Sequence, residues 1–151
     1  MGHSDTPFPA STGQLLNRAQ LALTGLHLVA CGLVLVVGES ARYALAGGFL
    51  VVFCAGLVAC AVAFVVAASR SREEEVTVVG AFFLGDGAVP QAIRRRMWGL
   101  VALQVAVGLG VAIASPDTEA IFATLTPLLG IGIAGLFGAS HGRFAKRRST
   151  Q

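Results

Sequence analysis

Charge is what this sequence most lacks. Only 13% of its 151 residues are Asp, Glu, Lys or Arg, while 55% are apolar. A soluble domain carries about 25% charged residues, so most of this chain belongs where charge is not tolerated. Cysteine is also scarce, and Cys31, Cys54 and Cys60 all lie within apolar runs. No Cys-x-x-Cys occurs, so a thiol oxidoreductase or structural zinc site has no ligand set. The three thiols read as small packing residues. No Ser/His/Asp set, phosphate loop or zinc motif is present either. The expectation is a non-enzymatic chain with no cofactor and no metal. The net charge of +3 does not suggest nucleic acid, because the basic residues flank apolar runs, as in membrane proteins.

What remains is four long uncharged runs: residues 19–38, 43–68, 97–114 and 120–140. The first holds 20 residues, about 30 Å of helix and enough to cross the hydrocarbon of a bilayer. The second, at 26 residues, is long enough to tilt. Turns at Glu39 to Arg42 and at Ser115, Pro116 and Asp117 join the runs pairwise. The predicted fold is all-α, a polytopic membrane protein of four transmembrane helices arranged as two antiparallel hairpins. Its spans are about 19–38, 43–68, 97–115 and 120–140, within a membrane domain over 18–142. Pro127 is expected to kink the fourth span. Residues 1–17, polar and holding Pro7 and Pro9, read as a disordered tail. They do not read as a signal peptide, since the first basic residue is Arg18.

A polar loop, 69–96, separates the hairpins. It opens with Arg70 and Arg72 and closes with Arg94, Arg95 and Arg96. Residues 76–84 are apolar but too few to span as a helix. They read as a segment lying against the bilayer or the helix ends, with a short strand as the alternative. Pro90 suits the first turn of a helix that begins before the arginines. If the tails and this loop share one side, that side carries ten of the eleven Lys and Arg residues. By the positive-inside rule both tails are then cytoplasmic and the membrane is the plasma membrane. Arg94, Arg95, Arg96, Arg143, Lys146, Arg147 and Arg148 are the candidate contacts to anionic lipid headgroups.

Within the spans, Gln20, Thr24, His27 and Cys31 follow one another at steps of four, three and four, so they share one helix face. His27 lies about 12 Å from the cytoplasmic end of its run at 1.5 Å per residue, and Gln104 in the third run lies at a similar depth. Polar groups in hydrocarbon are costly, so both are expected inside the bundle and in contact. Gln20, Thr24, His27 and Gln104 are thus the candidate intramembrane polar site. One histidine without a buried acid makes a poor proton relay, and it leaves a haem-binding bundle without its second axial ligand. A coupling glutamate of the kind used by four-span multidrug antiporters is also missing. Small residues recur at steps of four in three runs: Ala55, Ala59, Ala63 and Ala67; Ala102, Ala106, Gly110 and Ala114; Gly130, Ala134, Gly138 and Gly142. Each set is either internal packing or a surface for a second chain.

The stretches Val78-Val79-Gly80-Ala81-Phe82-Phe83-Leu84, Arg94-Arg95-Arg96 and Gly135-Leu136-Phe137-Gly138-Ala139-Ser140-His141-Gly142-Arg143-Phe144 resemble small four-span actinobacterial membrane proteins of unknown function. The resemblance covers the second half of the chain and implies location and fold only. The expected role is an accessory or scaffold subunit of a membrane complex, with the bilayer, a homo-oligomer or another membrane protein as partner. The alternative is a small oligomeric channel or transporter using the polar stripe of the first span.

Overall fold

The computed structural model describes residues 10–85, 87–115 and 117–146. Six α-helices follow one another: α1 (Ala10–Val36), α2 (Glu39–Arg70), α3 (Val78–Phe82), α4 (Gln91–Ala114), α5 (Thr118–Ile121) and α6 (Pro127–His141). A 3-10 turn, Phe122–Leu125, joins the last two. The fold is all-α, with four segments long and apolar enough to cross a membrane: Thr12–Val36, Glu39–Arg70, Gln91–Ala114 and Thr118–His141. Among the described residues the only strand-like feature is an isolated bridge between Glu74 and Lys146.

The fourth segment is the axis of the bundle. In its most apolar window 56% of residues are buried, against 22–28% in the other three. α6 packs against α2 most extensively and also touches α1, α3 and α4. Small residues permit this approach: a Cβ at Gly56 of α2 would lie 2.6 Å from the Leu129 backbone nitrogen, and one at Gly132 would lie 2.7 Å from Ala59 Cβ. The main contacts join spans two and four, then the sequence neighbours three and four, with spans one and three packed less extensively. α1 and α2, the first sequence hairpin, barely touch.

Two boundaries differ from the sequence expectation. Residues 10–17, read above as disordered, form the first turns of α1, because Gly13 is buried against Phe137 and His141 of α6. Residues 1–9 lie outside the described residues. The fourth span is not one kinked helix. It begins at Thr118, winds as 3-10 through Phe122–Leu125, and restarts with Pro127 in the first turn of α6, where the missing N–H is not needed.

Residues 76–84 hold the short helix α3, Val78–Phe82, rather than a strand. Thr77 caps it, its Oγ1 accepting from Gly80 N at 2.9 Å. The helix ends where Leu84 adopts φ 53°, a left-handed conformation usually left to glycine. Gly85 N then reaches back to Val79 O at 3.0 Å. Leu84 is wholly buried, in a cluster with Met97, Ile133, Ala134 and Phe137, and that packing offsets the backbone cost. Phe83 stacks on Trp98 with ring centroids 5.3 Å apart. The loop is thus docked against the ends of α4 and α6.

Candidate intramembrane polar site

α1 presents Gly13, Asn17, Gln20, Thr24, His27, Cys31 and Val34 at alternating steps of four and three. All are buried except Asn17, which is half-buried. α4 answers with buried Met97, Val101, Gln104, Gly108 and Val111 at the same alternation. Such a seam is the signature of two helices packed at a shallow crossing angle. What is unusual is that the α1 side is polar through its middle.

The seam carries a specific set of bonds. Gln104 Nε2 donates to Thr24 Oγ1 at 2.7 Å, and Thr24 Oγ1 donates to the Gln20 carbonyl at 2.9 Å. His27 Nε2 lies 3.1 Å from the Gln104 carbonyl oxygen. A carbonyl only accepts, so this geometry assigns the proton to Nε2 and leaves Nδ1 as an acceptor. Cys31 Sγ sits 3.5 Å from Nε2 and 3.8 Å from Nδ1. Gln20, Thr24, His27 and Gln104 are therefore together inside the bundle. The expected side-chain pair of His27 with Gln104 is not how they meet: His27 takes the backbone carbonyl, and the Gln104 amide goes to Thr24. The reason is reach, since the Gln104 amide is already held one helical turn from His27.

Not every group is satisfied. Gln20 Oε1 and Nε2, Gln104 Oε1 and Asn17 Oδ1 are buried without a hydrogen-bond partner among the described residues. Gly130 of α6 makes room for the two glutamines: a Cβ there would lie 2.9 Å from both Gln104 Oε1 and Gln20 Nε2. Beyond Cys31 the seam closes in an apolar cluster of Cys31, Val34, Phe49, Val111, Ala120 and Ala123. No group of three or more His, Cys, Asp or Glu side chains is placed to hold a metal among the described residues.

The candidate lipid contacts lie at the other polar end. Arg95, Arg96, Arg143 and Lys146 are exposed and Arg94 is half-buried, while Arg147 and Arg148 lie outside the described residues. Sequence reasoning missed Arg70. Its guanidinium donates to the carbonyls of Ala139 at 2.7 Å and Gly142 at 3.0 Å. It also pairs with Glu74 at 2.7 Å and lies 5.3 Å from the Phe144 ring centroid. Arg70 therefore caps the end of α6, a role that a count of flanking charges does not reveal. At the opposite end Arg42 pairs with Asp117, tying together the two short turns.

The three small-residue sets separate in the structure. On α2, Ala63 and Ala67 are buried and Ala59 half-buried, and on α6 all four are buried, so these serve internal packing. On α4, Ala102, Ala106, Gly110 and Ala114 are all exposed. No protein-family model, curated protein or solved structure matches this chain.

Proposed function

We propose that the protein is a non-enzymatic subunit of the plasma membrane, an accessory or scaffold protein that binds another membrane helix through the outward face of α4. One observation carries this reading. The α4 stripe of Ala102, Ala106, Gly110 and Ala114 is exposed and has no partner among the described residues, whereas the equivalent stripe on α6 is consumed and that on α2 largely so. A Cβ at Gly110 meets nothing within 4 Å. In lipid, where apolar contact alone gives no drive, such close-approach faces support helix association. The charge asymmetry supports cytoplasmic termini, with the exposed arginines facing anionic headgroups.

Association is the test. Gly110→Leu and Ala106→Leu should leave helix content unchanged and abolish self-association or partner capture in mild detergent. Undiminished association would remove α4 as the surface. A second reading, a small channel or carrier, is favoured by the Gln20 amide and the Gln104 Oε1, buried at the middle of the bundle with no hydrogen-bond partner among the described residues. His27-dependent proton or cation flux in liposomes would put that reading in place of the scaffold.

A further inference from the structure

The arginine-rich end of the bundle holds a hollow of about 410 Å³, within the roughly 300–1,000 Å³ of small-molecule clefts. Three parts of the chain enclose it: the loop at Gly87 to Val89, the start of α4 at Pro90 and Ile93, and the end of α6 at Phe137 and His141, with Arg143 just beyond. A second hollow, of about 250 Å³, lies against Gly13, Gln14 and Asn17 of α1. The two share Ile93, Phe137 and His141, and so meet at that trio.

The walls are held in place. The His141 ring stacks on Phe137 with centroids 5.1 Å apart, and its Nδ1 lies 2.8 Å from Ser140 Oγ. The Arg143 backbone N–H donates to the Ala88 carbonyl at 2.9 Å, which fastens the loop to the end of α6. The Arg143 side chain is exposed and takes no part in either ion pair among the described residues, Arg42 with Asp117 and Arg70 with Glu74. No described Asp or Glu lines either hollow. α4 begins there without a side-chain cap, so its first amides and its dipole also favour negative charge. A cation without a counter-charge, in a hollow otherwise lined by Val89, Ile93 and Phe137, fits a ligand that is anionic at one end and apolar at the other.

We propose that this hollow binds the phosphate of an anionic phospholipid headgroup, with Arg143 as its counter-ion. The phosphate accepts from the guanidinium, and the glycerol and first chain carbons lie along Ile93 and Phe137 toward α1. Position favours a lipid over a free phosphate ester. The membrane-length segments of α4 and α6 end at this hollow, and basic pockets between helix ends at that level suit acidic headgroups. The site narrows the reading that the exposed arginines face anionic headgroups, on which it rests, by separating one enclosed site from the open surface around Arg95 and Arg96.

The test is native mass spectrometry of the full chain in detergent, titrated with phosphatidic acid or with phosphatidylcholine of the same chains. Arg143→Gln should weaken phosphatidic acid binding about tenfold (~1.4 kcal/mol), at the low end for a hydrogen bond between charged groups. Arg95→Gln should weaken it no more than about fivefold, as for a basic residue on an open surface. In about 0.5 M salt the Arg95→Gln loss should vanish by screening, while the Arg143→Gln loss, from a direct contact inside the hollow, should persist. Glutamine at 143 keeps the backbone bond to Ala88, and Trp98 emission, from the cluster that holds Ala88 and Phe137, checks that the fold is intact. Equal losses from Arg143→Gln and Arg95→Gln at both salt concentrations would overturn the site and leave only diffuse attraction. No preference of the unmodified protein for phosphatidic acid over phosphatidylcholine would remove the wider headgroup reading as well. Glycerol phosphate at equal concentration should not displace the lipid; displacement would assign the hollow to a soluble phosphate ester and overturn the lipid assignment.

Discussion

Arg70 offers the sharpest test of how the bundle is held. Its side chain is only 12% exposed, and it meets two carbonyls at the end of α6 as well as the Glu74 carboxylate, whose side chain is 28% exposed. The last carbonyls of a helix have no partner within the helix. A buried cation there supplies both hydrogen bonds and a favourable charge against the helix dipole. Hydrogen bonds to charged groups contribute about 1.5–3 kcal/mol each, while a partly exposed i,i+4 ion pair contributes about 0.5 kcal/mol. The two contributions separate by mutation. Arg70→Met keeps the stem and removes both carbonyl bonds, and should cost about 3 kcal/mol after allowing for partial hydration of the carbonyls. Glu74→Gln should cost about 0.5 kcal/mol. Arg70→Lys keeps the charge but not the fork that reaches two acceptors, so it should fall between them.

The assay is built into the chain. Trp98 is the only tryptophan, and it stacks on Phe83 at the docked loop. Unfolding in mixed micelles, followed by Trp98 emission and by far-ultraviolet dichroism, gives loop release and helix loss separately. Arg70→Met should release the loop first, because α3 and Phe144 rest on the part of α6 that Arg70 holds. Equal destabilisation by Arg70→Met and Glu74→Gln would show the ion pair to be the main term and refute the capping argument. No effect from Arg70→Met would refute it altogether.

Three further outcomes follow from the geometry. His27→Leu and Gln104→Leu should show a coupling well below the ~0.6 kcal/mol of an interhelical hydrogen bond in a double-mutant cycle, since His27 uses the backbone carbonyl of Gln104, which leucine retains; strong coupling would contradict the backbone contact. Gly138→Ala should expel residues 78–84 from the bundle, because the new Cβ meets the Ala81 carbonyl oxygen and lies 2.8 Å from Leu84; unchanged Trp98 emission would count against that packing. In a cysteine-free background, a cysteine at Glu74 should resist an impermeant thiol reagent in intact cells and one at Asp117 should react, the reverse pattern inverting the orientation.

How much of this was legible depended on the solvent each helix faces. In water, apolar periodicity marks the buried face. In a membrane both the lipid and the bundle interior are apolar, so hydropathy is nearly silent about which face turns inward. Only polar residues break that symmetry. The inward face of α1 was legible for this reason: Gln20, Thr24 and His27 are costly in lipid, and their steps of four and three placed them together. The inward face of α2 was not, because Leu, Val and Phe sit equally well on either side. The alanine and glycine stripes had the right spacing on α2, α4 and α6 alike, yet only the α4 stripe is wholly exposed. Arg70 matched every other flanking arginine until the end of α6 came to lie beside it. Span pairing was hidden for a related reason. Short turns require neighbours in sequence to return across the membrane, but not to pack tightly, and α1 and α2 are joined by Gly38 and little else. The bundle instead gathers around its most glycine-rich span. α6 is apolar on every side, and close backbone approach at Gly130, Gly132, Gly135 and Gly138, not hydrophobicity, makes it the central helix. That choice leaves α1 and α2 apart, while the second hairpin stays packed, span three against span four.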